Sequence, residues 1–264
     1  MRYHIGFIGC GNMASAMIGG MLDCGICSAD EVIASDRNEA ALDAIEQRLG
    51  IHTANENIDV ADSKYIVLAV KPFFYRQVID EIKERITDAQ VIISITPNFS
   101  LKQLEEMFGK SVKIIRCMPN TPAMVAQGMT AYVCNERITP LEKDGFNKLF
   151  CSFGQTEEVE ERYMDAVVAV SGSSPAYVFM FIEAMADAAV LEGMPRDKAY
   201  RFAAQAVLGS AKMVLDTGKH PGELKDMVCS PAGTTIEAVK VLERSGMRAA
   251  VIDALHACAE KCKK

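Results

Sequence analysis

The stretch IGFIGCGNMA at residues 5–14 decides the fold of this 264-residue chain. Its first four residues predict a short buried strand, and a helical pattern begins at Met13. Between them, Gly9 permits a tight turn, and Gly11 has no side chain to keep a pyrophosphate away from the backbone. The small Ala14 lets the helix pack closely on the sheet, so that its free N–H groups and positive dipole end face the phosphates. The stretch therefore predicts a dinucleotide-binding turn, with the candidate contact residues Gly9, Gly11, Asn12 and Met13.

Apolar runs alternate with helical patterns over roughly the first 160 residues. A helix is predicted at residues 39–49, where Gly50 ends it. Runs that are apolar on every residue belong to strands covered on both faces, as in a parallel sheet. The fold prediction is therefore α/β, with an amino-terminal Rossmann-type doubly wound sheet over residues 1–162. The further strand candidates are residues 31–35, 65–70, 91–95 and 112–115, with edge strands at 128–133 and 155–159.

The pattern changes after about Met164, where strand-like runs end and Ala, Met, Leu and Val recur at helical spacing. This predicts an all-α dimerisation domain over residues 163–264. The segment Ala176–Leu191 is apolar over most of its circumference, so it must be buried, and a small bundle cannot easily bury it alone. A second copy packed against it predicts a homodimer or a larger assembly. Burial in a cleft between the two domains is the alternative, and both can hold at once.

Composition indicates which kinds of ligand and which cellular location to expect. The formal net charge is −7 and no cluster of Lys and Arg stands out, so we expect small-molecule ligands and no nucleic-acid partner. No secretion signal leads the sequence, and no uninterrupted apolar stretch reaches the roughly 18–20 residues of a membrane span. The nine cysteines include the pair Cys24 and Cys27, but no second pair at zinc-ligand spacing. We therefore expect reduced thiols, no metal, no membrane and a cytoplasmic location.

Two residues after the second predicted strand leave the choice of nicotinamide cofactor open. Asp36 is placed to hydrogen-bond the ribose hydroxyls of NADH, whereas Arg37 is placed to accept the 2′-phosphate of NADPH. The cofactor prediction is therefore NADPH or NADH. The run at residues 65–70 ends at the carboxyl edge of the sheet, where ligands of open α/β sheets bind. The further cofactor-binding candidates there are Ala69, Val70, Lys71 and Pro72.

The segment VCSPAGTTIEA at residues 228–238 predicts a loop that leads into a helix. Pro231 cannot sit inside the preceding helix, and the Gly-Thr-Thr run at 233–235 presents unpaired backbone N–H groups. Such a helix start suits a carboxylate. A purely structural alternative is that Ser230 caps the helix and Pro231 takes its first position. That alternative leaves the Gly-Thr-Thr run unexplained, because Gly and Thr are poor helix formers.

Six motifs lie in order along the chain: the GxGxxA turn, AVKP at 69–72, RCMPNTP at 116–122, SGSSPAY at 171–177, HPGELKD at 220–226 and the loop at 230–235. With them the chain resembles the pyrroline-5-carboxylate reductase family along nearly its whole length. The resemblance implies reduction of the cyclic imine 1-pyrroline-5-carboxylate to L-proline, the last step of proline biosynthesis, by hydride transfer from NAD(P)H. It also implies an intertwined homodimer, with further assembly in some members up to a decamer.

The resemblance implies roles for the loop residues as well. Thr235 would hydrogen-bond the imine nitrogen, as an orienting group more firmly than as the proton source, because a hydroxyl is a poor acid. Ser230, Gly233 and Thr234 would hold the substrate carboxylate.

On the cofactor side, the resemblance places the loop of Met118, Pro119 and Asn120 under the nicotinamide. Lys71 and its neighbours would lie along the cofactor. Asn57 matches, within one residue of register, an asparagine that the family uses near the adenosine ribose.

The sequence departs from the family pattern in two places. Ser174 replaces a common glycine of SGSGPAY, and Ala232 replaces a glycine of a PGG turn. An alanine at positive φ would be strained, so we expect Ala232 to adopt an ordinary helical or bridge conformation. Neither change removes a group that the chemistry needs.

Two other functions compete with this interpretation. A β-hydroxyacid dehydrogenase would need a Lys and an Asn on the helix at 176–191, which contains neither. A non-catalytic dinucleotide sensor would be expected to have lost the carboxylate loop, whereas Ser230, Gly233 and Thr235 are all present.

Overall fold

The chain consists of two compact units. A computed structural model describes residues 1–263. The first unit comprises Met1–Gly172 together with the residues from Ala259 on, and the second comprises Ser173–Cys258.

The first unit is built on one eight-stranded sheet. Its strands are β1 (Tyr3–Ile8), β2 (Val32–Ser35), β3 (His52–Ala54), β4 (Ser63–Leu68), β5 (Val91–Ser94), β6 (Lys113–Met118), β7 (Gly128–Cys134) and β8 (Gly154–Glu158). They lie in the order β3-β2-β1-β4-β5-β6-β7-β8. The first six strands are parallel, β7 is antiparallel to β6, and β8 is parallel to β7. The order of the first six is that of dinucleotide-binding sheets, with the reversal between β1 and β4, so the predicted doubly wound fold is confirmed.

Short helices connect these strands and cover the sheet. They are α1 (Asn12–Asp23), α2 (Glu39–Leu49), α3 (Asn57–Val60), α4 (Tyr75–Ile82), α5 (Leu101–Phe108), α6 (Pro140–Phe150) and α7 (Met164–Val167). A π-helical turn at Val168–Gly172 ends the first of the two chain segments that form the unit. The second unit is helical throughout. Its helices are α8 (Ser174–Leu191), α9 (Arg196–Thr217), α10 (Pro221–Val228), α11 (Thr234–Arg244) and α12 (Met247–Cys262), whose last residues belong to the first unit.

Successive residues of the central strands enter two different apolar clusters, one on each face of the sheet. In β4, Tyr65 and Val67 belong to one cluster, whereas Ile66 and Leu68 belong to the other. All four are fully buried. The continuous apolar runs of the sequence thus correspond to strands covered on both faces.

The second unit, in contrast, buries little of its apolar surface. Of its described residues only Ala186, Ala199 and Ala203 are buried, while Phe179 and Met180 on α8 are 63% and 68% exposed in the single chain. The helical stretch Glu161–Leu191 is long and apolar enough, by length and composition, to cross a membrane. An apolar surface of this kind needs a cover, which one copy of the unit does not supply.

Candidate active site

A cleft of about 740 Å³ opens at the carboxyl ends of the central strands of the first unit. It brings together most of the predicted cofactor-binding residues, although they come from four separate segments of the chain. Those that line the cleft are Gly9, Gly11, Asn12, Met13, Asp36, Arg37, Asn57, Ala69, Val70, Lys71 and Pro72. The segment 95–98 after β5 also lines it and was not predicted from the sequence. The binding roles of these residues stay predictions. The residues converge where the strand order reverses between β1 and β4, which is where doubly wound sheets bind dinucleotides.

The two glycines of the turn are required for different reasons. Gly9 has φ +105°, and a Cβ there would lie 2.8 Å from the carbonyl oxygen of Ala69, so a side chain cannot be accommodated. Gly11 has an ordinary φ of −67° and caps α1 without any side-chain hydrogen bond. A Cβ on Gly11 would meet nothing within 4 Å. This open space in front of an uncapped helix start fits the pyrophosphate of a dinucleotide.

We expect Gly11→Ala to weaken cofactor binding by roughly tenfold to hundredfold, because one added methyl group intrudes on the pyrophosphate at about 1–3 kcal/mol. The free energy of unfolding should hardly change, since the Cβ contacts no protein atom within 4 Å. Binding of NADH and NADPH by fluorescence, together with urea denaturation, measures both quantities. Gly19→Ala is the matched control: it lies on the same helix with open space around its Cβ, and it should stabilise the protein slightly without altering affinity. Equal effects of the two variants on affinity would contradict this assignment of the cleft.

Cys10, between the two glycines, is not a reactive thiol. Burial, with a smaller contribution from the Asp36 carboxylate, raises the pKa of the Cys10 thiol to about 12. Its Sγ lies 3.6 Å from the carbonyl oxygen of Ser35, toward the sheet. The thiol therefore stays protonated at neutral pH and packs the turn against β2.

The part of the cleft around Asp36, Arg37 and Asn57, called here its ribose end because the sequence predicts ribose contacts for these residues, carries a network of polar side chains. Asp36 accepts hydrogen bonds from the backbone N–H groups of Cys10 at 2.7 Å and Asn38 at 2.9 Å. Asn57 accepts from the Ser35 hydroxyl at 2.7 Å through its Oδ1 atom. The acid after β2 thus holds the glycine turn in place, a role that the sequence pattern did not predict.

The loop that the resemblance places under the nicotinamide is tied to the end of the first unit. Asn120 donates to the hydroxyl and the carbonyl oxygen of Ser171, and its Oδ1 accepts from the N–H of Met129 at 2.8 Å. The Met118 methyl group would lie 2.5 Å from a Cβ on Gly172, so that glycine permits a close approach. Met118, Pro119 and Asn120 themselves do not line the 740 Å³ cleft, whereas Thr121 does. The amide of Asn120 therefore shapes the loop, and contact with a cofactor stays a prediction for all three residues.

In the second unit, the loop at 230–235 leads into α11. Gly233 caps the helix in extended conformation with no side-chain cap, and Thr234 and Thr235 are its first two residues. The alternative in which Ser230 caps the helix and Pro231 begins it is therefore wrong. The Ser230 hydroxyl lies beside Gly233, where an added Cβ would approach it to 2.3 Å. The loop thus presents a hydroxyl and uncapped helix N–H groups together, as a carboxylate requires.

The expected conformation of Ala232 is wrong: its φ is +57°, in the left-handed region. The reason is the turn at residues 230–233, in which the Gly233 N–H donates to the Ser230 carbonyl oxygen at 3.0 Å. Proline at the second position suits turns of both type I and type II, and the positive φ of Ala232 at the third position identifies this turn as type II. Ala232 accepts the backbone strain of a position where glycine is usual.

We expect Ala232→Gly to raise the free energy of unfolding by up to about 1 kcal/mol, because relief of left-handed strain outweighs the added freedom of the unfolded chain. Urea denaturation at fixed protein concentration measures the change. Ala126→Gly allows a comparison at a second left-handed alanine, since Ala126 has φ +54° but lies in the other unit. A loss of about 1 kcal/mol in Ala232→Gly, as at an ordinary helical position, would refute the strain.

Taken together, these features define the class of protein. A parallel sheet with a glycine turn and a dinucleotide-sized cleft, joined in sequence to a helical unit with a carboxylate-type helix start, is the construction of a nicotinamide-dependent oxidoreductase of a small acidic substrate.

Comparison with known proteins makes the class specific. Residues 161–264 match the family described as pyrroline-5-carboxylate reductase dimerisation, and residues 4–98 match NADP oxidoreductase coenzyme F420-dependent. The chain is 50% identical to the pyrroline-5-carboxylate reductase of Escherichia coli, over 100% of this chain and 98% of that one. It therefore belongs to the pyrroline-5-carboxylate reductase family.

Solved structures agree with this membership. A pyrroline-5-carboxylate reductase from Coxiella burnetii has a TM-score of 0.91 at 33% identity, over 100% of this chain and 98% of that one. The Plasmodium falciparum pyrroline carboxylate reductase with NADP bound has a TM-score of 0.90 at 32% identity, over 99% and 97%. The predicted family, the enzyme class and the NAD(P)H cofactor are confirmed. The dimerisation domain also confirms that the chain self-associates, as the apolar helix α8 predicts.

Proposed function

We propose that this enzyme reduces 1-pyrroline-5-carboxylate to L-proline. The observation that carries the proposal is the match over the whole chain to reductases of that name, combined with a cleft that fits a dinucleotide. Bound NADPH or NADH supplies the hydride to the imine carbon, and the ring nitrogen takes up a proton.

On the cofactor side, the residues of this chain bind the dinucleotide and orient it. Gly9, Gly11, Asn12 and Met13 form the pyrophosphate turn, where the start of α1 attracts negative charge. Asp36, Arg37 and Asn57 surround the adenosine ribose, and the strand end at Ala69, Val70, Lys71 and Pro72 lines the cofactor's path. Met118, Pro119 and Asn120 form the nicotinamide loop, held in shape by the hydrogen bonds of Asn120.

On the substrate side, the start of α11 receives the carboxylate. Ser230 donates through its hydroxyl, and Gly233 and Thr234 donate through backbone N–H groups. Thr235, in the first turn, directs its hydroxyl to the imine nitrogen and fixes the face of the ring that is exposed to hydride. These donors are carried by one helix start, which holds them in a fixed mutual arrangement.

Assembly and location complete the proposal. The uncovered apolar side chains of α8 pack against a second copy of the chain, and the assembly is a homodimer or a decamer. Residues 1–162 bind the cofactor, and residues 163–264 bind substrate and dimerise. The enzyme is soluble and cytoplasmic, in keeping with the nine cysteines, all of which are in the reduced state in the part of the chain that the structure describes.

Isotope transfer tests the proposed reaction. NADH and NADPH deuterated at the transferred position should each deliver one deuterium to the proline ring carbon that lies on the far side of the nitrogen from the carboxylate-bearing carbon. Mass spectrometry of the isolated product measures this. Unlabelled proline, formed while the cofactor is consumed, would exclude direct hydride transfer.

A further inference from the structure

The ribose end of the cleft contains more negative charge than its sequence motif suggests. The carboxylate of Asp36 is fixed there by the N–H groups of Cys10 and Asn38, one on each oxygen. It still has lone pairs for ribose hydroxyls, but it has no proton to offer a phosphate. An acid at this position therefore accepts the 2′-hydroxyl of NADH and repels the 2′-phosphate of NADPH.

Arg37 is the side chain that should offset this repulsion, but it is already paired. Its Nη2 atom lies 3.3 Å from Oε1 of Glu81, a residue of α4. Its guanidinium also lies over the ring of Phe74, 5.3 Å from the centroid. The cation is thus held from two sides at the mouth of the cleft.

Glu81 is in turn held by two amides. Asn57 donates to its Oε2 at 2.6 Å, and Gln77 donates to its Oε1 at 2.9 Å. Asn57 is itself fixed by the Ser35 hydroxyl at the end of β2. A chain of contacts therefore runs from β2 through Asn57 to Glu81 and Arg37. It fixes the carboxylate of Glu81 beside the guanidinium of Arg37.

We infer that Glu81 sets the cofactor preference of this enzyme, by holding Arg37 neutralised so that NADH binds in preference to NADPH. The side chains of Asp36, Glu81 and Arg37 together carry a net charge of −1, to which the 2′-phosphate of a bound NADPH would add about −1.5 to −2. The side chains of Arg37 and Glu81 are 55% and 37% exposed, so solvent screens the effect, and a change of single-digit factors is expected for removing one charge. Lys71 also lines the cleft, but it is present in the native enzyme and in every variant compared below, so it does not account for a change caused by removing Glu81. The inference rests on the proposed use of NAD(P)H.

Direct binding to the free enzyme tests the inference without turnover. Fluorescence titrations give the Kd for NADH and NADPH, and calorimetry with ADP-ribose and 2′-phospho-ADP-ribose gives the same comparison without the nicotinamide. The native enzyme should bind the ligand without 2′-phosphate at least about tenfold more tightly. Glu81→Gln should reduce that ratio roughly threefold to tenfold while the Kd for NADH changes less than about twofold. Arg37→Gln added to Glu81→Gln should restore the native ratio.

Asp80→Asn is the matched control, since it removes one negative charge from the same helix but pairs with Lys83 at 2.7 Å. It should leave the ratio unchanged. Tighter binding of NADPH by the native enzyme, or an equal shift in Asp80→Asn and Glu81→Gln, would overturn the inference. If Glu81→Gln does not fold, Arg37→Gln alone tests the inference. Because Glu81 already neutralises Arg37, this variant should lose little affinity for NADPH, and a tenfold loss would contradict the inference. If the proposed reaction were wrong, these ratios would persist while turnover with the imine was absent.

Discussion

Replacing Thr235 by alanine should lower kcat by about 100-fold or more, the range for loss of a group that assists proton transfer or orients the reacting bond. The hydroxyl lies in the first turn of α11, next to the proposed carboxylate donors, and the side chain is only half-buried in the single chain. Its removal therefore costs little folding energy. Stopped-flow measurement of cofactor oxidation at saturating imine gives kcat directly.

Thr235→Ser is the matched control, because it keeps the hydroxyl and removes only a methyl group. It should retain activity within about tenfold of the native enzyme, in line with a loss of at most about 1 kcal/mol of packing. Affinity for NADH should be unchanged in both variants, since the cofactor cleft lies in the other unit. Equal activities of Thr235→Ala and the native enzyme would show that the hydroxyl neither orients the imine nor relays its proton.

Replacing Arg116 by alanine should cost about 2–3 kcal/mol of folding free energy, the scale for removing a buried side chain that makes charged hydrogen bonds. The Arg116 side chain is 6% exposed. Its guanidinium donates to Glu161 at 2.8 Å and to the carbonyl oxygen of Pro97 at 2.9 Å. Glu161 also accepts from the N–H of Leu101 at 2.8 Å, so Arg116 joins β6 to the segment after β5. Because Pro97 lines the cleft, the variant should also bind NADH more weakly.

Urea denaturation at fixed protein concentration measures the loss in Arg116→Ala. Arg137→Ala is the control: its ion pair with Asp88 is 2.6 Å long, but the two side chains are 39% and 74% exposed. That variant should lose less than about 1 kcal/mol. Similar losses in the two variants would mean that burial of Arg116 adds nothing to its ion pair.

Strands of the sheet could be predicted from the sequence where burial on both faces requires every residue to be apolar. The apolar runs at 65–70 and 91–95 correspond to β4 and β5, because a strand covered on both faces has no polar side to show. The strand β3 at His52–Ala54 was missed, since it is three residues long and only half-buried. The antiparallel direction of β7 also has no local signature, because direction depends on the path of the connection rather than on side chains.

In the candidate site, too, features set by neighbouring residues were predictable, whereas contacts between residues far apart in the chain were not. The glycine turn could be identified because backbone approach and positive φ restrict residue type at single positions. The pairing of Arg37 with Glu81 spans 44 residues, and that of Arg116 with Glu161 spans 45, so neither leaves a pattern in the sequence. Arg116 was noted as part of a motif without a role for this reason. The conformation of Ala232 was predicted wrongly because residue preference favours a negative φ for alanine, whereas the turn at residues 230–233 is of the type with a positive φ at its third residue.

The absorbance of reduced nicotinamide, followed after 1-pyrroline-5-carboxylate is added to the purified protein, is the decisive test of the reductase activity. We expect oxidation of the cofactor that requires the imine, yields L-proline in equal amount, and is faster with NADH than with NADPH at low cofactor concentration. No oxidation with either cofactor, from protein that binds both, would contradict the reductase activity.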